Sequence, residues 1–154
     1  MDILVNKPIL IGLHLGFAIL GIDLFLWLAG EIIANPVKRF RMVWVAGAGL
    51  LSFVLAWIIG GLYYVNYYGS LVKPIIKAGS APWAHSVVME SKEHIFLLII
   101  PMAATAFFLS FLKKKEIEEY GLKLPFLVLV LLIALIALSI GAMGYIISAA
   151  ARWG

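Results

Sequence analysis

The chain is constrained above all by four long apolar runs, at roughly 8–34, 42–64, 87–112 and 125–151. Each reaches the ~20 residues that a helix needs to cross the hydrocarbon core of a bilayer. Charges are nearly absent inside them, and a backbone in lipid must satisfy its own polar groups, as a helix does. The expected fold is an all-α bundle of four transmembrane helices in up-down-up-down order, formed by a single domain over 1–154. Composition agrees: 64% of the residues are hydrophobic and 13% charged, against about half and a quarter in a soluble domain.

The charges that remain flank the spans and set the topology. The connection between the first two spans carries Lys38, Arg39 and Arg41, and that between the last two carries Lys113, Lys114, Lys115 and Lys123. Short basic loops stay in the cytoplasm, so both termini are expected outside, in a plasma membrane. The net charge of +4 sits beside the spans and does not point to nucleic acid. No cysteine is present, which rules out disulfides and thiolate metal sites. The first run lacks a basic leader, is too long for a signal-peptide core and contains Asp23. It is expected to stay in the mature protein.

Function is sought where the apolar pattern breaks. The densest break is Ser80–His94, which brings His85, Glu90, Lys92, Glu93 and His94 to the start of the third span. Ionisable groups there are costly unless paired, ligated or functional. In the first span, steps of 100° per residue put His14, Phe17, Ala18, Gly21 and Phe25 on one face. Gly12, Gly16, Asp23 and Gly30 fall on the other. Gly12 and Gly16 form a Gly-x-x-x-Gly pair, which suits close helix packing within the chain or a homodimer seam. Asp23 reads as a helix–helix hydrogen bond or a proton-relay group. Span 1 is expected to stop at Asn35-Pro36. Tyr63, Tyr64, Tyr67 and Tyr68 read as an interfacial belt, and 69–79 as a segment on the membrane surface. Pro101 is expected to kink the third helix. Glu116, Glu118 and Glu119 read as a solvated turn.

Depth can be counted. From the basic-loop edge of each span, His14, Gly60, His94 and Gly144 all lie about 18 or 19 residues away, roughly 27–29 Å at 1.5 Å per residue. Two imidazoles at one level, with glycine-made space between, suit a flat macrocycle with two axial histidines. Lys92, Arg152, Lys73 or Lys77 are placed to pair with propionates. Glu90 and His94, one helical turn apart, could instead join His14 in holding a divalent metal such as copper, zinc or iron. His85 is nine residues before His94, so on a regular helix it points the other way, onto the outer surface.

An early histidine in helix 1, the Gly-Gly-Leu-Tyr-Tyr exit from helix 2, the Tyr-Tyr-Gly-Ser-Leu-Val-Lys that follows and a histidine opening helix 3 resemble the small four-helix haem-binding membrane proteins. The layout is also loosely similar to the copper-resistance D type. That resemblance implies haem b, quinol or electron-transfer partners, or copper handling, with His14 and His94 as ligands. The expected function is a b-type cytochrome with one haem near the outer face, moving electrons between a quinol and an outer redox partner. The alternatives are a metal-ion binding or transport protein and a structural or assembly subunit.

Overall fold

The computed structural model describes residues 6–34 and 39–153. The Asn35-Pro36 stop signal and Lys38 lie outside the described residues. The described residues are almost entirely helical, with α1 (Lys7–Ala34), α2 (Arg39–Tyr63), α3 (Lys73–Ala78), α4 (Glu90–Leu109), α5 (Lys114–Glu119) and α6 (Lys123–Trp153). Tyr64–Val72 and Ala84–Met89 are wound as π-helix. The first π segment joins α2 to α3 in one 40-residue rod, and the second runs into α4. Four helical stretches, 7–34, 39–78, 84–109 and 123–153, are long and apolar enough to span a membrane.

Between 17% and 39% of each stretch's most apolar window is buried inside the protein. Most of its apolar side chains therefore face outward, and a lipid bilayer is the surrounding that accepts such a surface. Inside, α1 packs chiefly on α2, α6 lies against α1 and α4, and α4 touches α2. The α1–α2 pair is antiparallel: Glu31 meets Arg41 at one end and His14 meets Ala56 at the other. Its centre is a reciprocal fit. An added Cβ at Gly21 would stand 2.6 Å from the Phe53 ring, and one at Gly49 would stand 2.8 Å from Phe25. The two rings stack at 5.5 Å, each over the glycine of the opposite helix. The face expected to hold His14, Gly21 and Phe25 is the face that packs.

At the basic-loop end, the Lys113 N–H donates to the Glu116 carboxylate at 2.6 Å. Gly121 supplies the left-handed residue (φ 63°) that leads out of α5. Buried Ile117 anchors this loop, so the acidic stretch is a short docked helix rather than a plain solvated turn. The α4 helix runs on through Pro101.

Two further expectations are corrected. Residues 69–79 do not form a separate surface segment; through Ala78 they continue the second helix. The reason is a stripe at spacing four, Tyr68, Val72 and Ile76, all buried in a small core with Ala84 and Ile147. Burying that stripe holds the chain helical past Gly69 until Gly79-Ser80. His85 is not on the outer surface either: it is 4% exposed. The wider π turn, with its i→i+5 bonds, rotates less per residue than the regular helix assumed for the count, and carries His85 inward.

Candidate functional site

His14 leaves α1 on the packed face and meets α2 where that helix has no side chain. Its Nδ1 lies 2.8 Å from the Ala56 carbonyl. A Cβ built on Gly60, one turn further along α2, would stand 2.7 Å from the same nitrogen. The imidazole thus occupies the notch that Gly60 provides. A carbonyl oxygen only accepts, so Nδ1 carries the proton and donates it. Nε2 then keeps its lone pair.

His94 repeats this arrangement within a single helix. Its Nδ1 donates to the Glu90 carbonyl at 2.6 Å, which again leaves the lone pair on Nε2. The ring itself is exposed. Lys92, two residues earlier on α4, is half-buried and turns toward α6: its Nζ is 3.7 Å from where a Cβ of Gly144 would stand.

The structure therefore joins His14 to Gly60 and Lys92 to Gly144. His94 lies two residues beyond Lys92 on α4 but opens outward. Arg152, near the end of α6, is exposed and donates to the Ser148 hydroxyl at 2.8 Å. Glu90 is exposed. Among the described residues, no three His, Asp or Glu side chains gather as a metal ion would need.

Behind these residues lies a pair the sequence pattern did not single out. The Tyr68 hydroxyl is 3.0 Å from His85 Nδ1, with both residues almost fully buried. Tyr64 stacks on Tyr68 at 5.1 Å and reaches Glu93. Two of the four tyrosines expected in an interfacial belt thus belong to an internal polar cluster. The spacing-four stripe through Tyr68 was the available signal.

At the opposite end, buried Glu31 accepts from Arg41 Nη2 at 2.7 Å and from Trp27 Nε1 at 2.9 Å. Here the clue was an i, i+4 Trp–Glu pair at the end of a span beside a basic loop. No family model matches the chain, and no curated protein or solved structure shows a detectable similarity to it.

Proposed function

We propose that the chain is a small b-type cytochrome of the plasma membrane, holding one haem near the His14 end of the bundle. The observation that supports this reading is the shared state of two imidazoles. His14 and His94 each donate Nδ1–H to a backbone carbonyl, at 2.8 and 2.6 Å. Metal-ligating histidines are commonly oriented by such a bond, which fixes the tautomer and raises the basicity of the other nitrogen. Both Nε2 atoms are thus prepared as ligands, His14 from within the bundle and His94 from its rim. No comparable observation favours a metal-ion site: among the described residues no three His, Asp or Glu side chains gather.

Haem supplies a one-electron couple when bound. The residues of this chain hold and orient it. Lys92 and Arg152 place positive charge at the same end for the propionates. Glu90 and Glu93, both exposed, accept the protons that a quinol gives up as it loses electrons. A haem held by His14 and His94 at one end would not cross the bilayer, so the redox partner would lie on the same side. The short basic loops favour an orientation with that side, and both termini, outside the cell.

The test is an absorbance spectrum of the purified chain from haem-replete cells. A Soret band, a sharp reduced α-band and one haem per chain are expected. The low-spin signature should be lost in His14→Ala and in His94→Ala while both variants remain folded. A chain without a Soret band overturns the reading.

A further inference from the structure

Asp23 is the ionisable residue, among those described, that stands in the middle of a span: sixteen residues after the start of α1 and eleven before its end. It is exposed, and no hydrogen bond or ion pair joins it to another described residue. The hydroxyls at similar depth are engaged elsewhere, Ser52 with the Ala48 carbonyl and Thr105 with the Pro101 carbonyl, each at 2.8 Å. Carboxyl groups at this depth almost always face protein and are paired, so something beyond this chain's own bundle covers Asp23.

The surroundings indicate what fits. Steps of 100° place Gly12, Gly16, Asp23 and Gly30 within roughly 40° of arc on α1. No atom lies within 4 Å of a Cβ added at any of those three glycines. The carboxyl therefore stands in a strip that lets another helix approach closely. Copies of one membrane protein insert in the same orientation, so α1 meets α1 in parallel and at equal depth. Each glycine then faces its own counterpart, and Asp23 faces Asp23. Two carboxyls that hold one proton between them are self-complementary, one donating O–H and the other accepting. None of the described basic residues lies at that depth, so a second copy offers Asp23 a carboxyl rather than a cation.

We propose that the chain forms a parallel homodimer through this face of α1, with the two Asp23 carboxyls sharing a proton at the seam. The proposal is independent of the haem reading.

The chain has no cysteine, so single cysteines report the seam directly in membranes. Gly16→Cys and Gly30→Cys fill open space and leave the monomer's packing intact. Mild oxidation should link each into a dimer. Leu15→Cys, exposed by 52% but roughly 80° around the helix from Asp23, should link far less. In the Gly16→Cys background, Asp23→Leu should lower the cross-linked fraction about tenfold, in keeping with interhelical hydrogen bonds of this kind. Asp23→Asn, which both donates and accepts, should keep the cross-link. Equal linking from Leu15→Cys, no linking from either glycine position, or a yield indifferent to Asp23→Leu overturns the proposal. So does loss of the cross-link in Asp23→Asn as well as Asp23→Leu, the mark of a partner helix that answers Asp23 with a cation.

Discussion

At the scale of single residues, the His14 end depends on which glycines are occupied by a neighbour. A methyl group at Gly60 would press on the His14 ring at 2.7 Å, whereas one at Gly144 would meet the Lys92 amine at an ordinary 3.7 Å. Gly60→Ala should therefore destabilise the chain by about 1–3 kcal/mol, the usual cost of overpacking, and, on the proposed cytochrome reading, weaken haem retention by displacing His14. Gly144→Ala should be close to neutral, and Gly61→Ala, which meets nothing, neutral or stabilising through helix propensity. Thermal melts in detergent, followed by helix circular dichroism, would rank the three, and a Gly60→Ala chain as stable as wild type would remove His14 from its notch. At the opposite end Glu31 is buried while Arg41 is half-exposed. Arg41→Gln should then cost more than Glu31→Leu, because it takes the Arg41 charge away from the buried Glu31 carboxylate, whereas Glu31→Leu unpairs only the half-exposed Arg41 and the exposed Trp27 N–H. About 1–3 kcal/mol is expected for a buried group left without its partner, measured in the same melts.

At the scale of elements, the four spans were legible because little besides a membrane crossing calls for ~20 apolar residues in a row. The inward face of α1 was legible because three or four residues apart means one side of a helix. What escaped was the π winding of Tyr64–Val72 and Ala84–Met89. Counting at 100° per residue presumes a regular helix, so it sent His85 outward, when the structure buries it on Tyr68. The same count placed His94 at the level of His14 but said nothing of which side it faces, and there Lys92 turns inward instead. A prediction belongs to this helical hairpin. Tyr68→Phe keeps the ring and its stacking but removes the hydroxyl from His85, and a lost buried hydrogen bond of this kind costs about 1–3 kcal/mol. Amide hydrogen exchange should accelerate across residues 64–89 and remain unchanged in the reciprocal glycine–phenylalanine centre of α1 and α2. Acceleration spread evenly over all four spans would show that the hairpin is not a separate unit of stability.

At the scale of the whole molecule, the two ends of the bundle differ in kind. One end carries the short basic connections, the second of which includes the buried Ile117. The other carries Tyr63, Tyr64, Tyr67 and Tyr68, the three histidines and the turn at Gly79–Ala81. The functional reading needs the second end to face outward, and the distribution of Lys and Arg favours that orientation: the basic loops are short and lie within a few residues of the spans, where positive charge is retained in the cytoplasm. Because the chain lacks cysteine, the matter reduces to two labels. Ser80, exposed in the turn after α3, replaced by Cys should react with a membrane-impermeant maleimide added to intact cells. Cys in place of exposed Lys115, in α5, should react only after the cells are opened. The reverse pattern would put the histidines on the cytoplasmic side, and the proposed cytochrome would then have to exchange electrons with cytoplasmic partners.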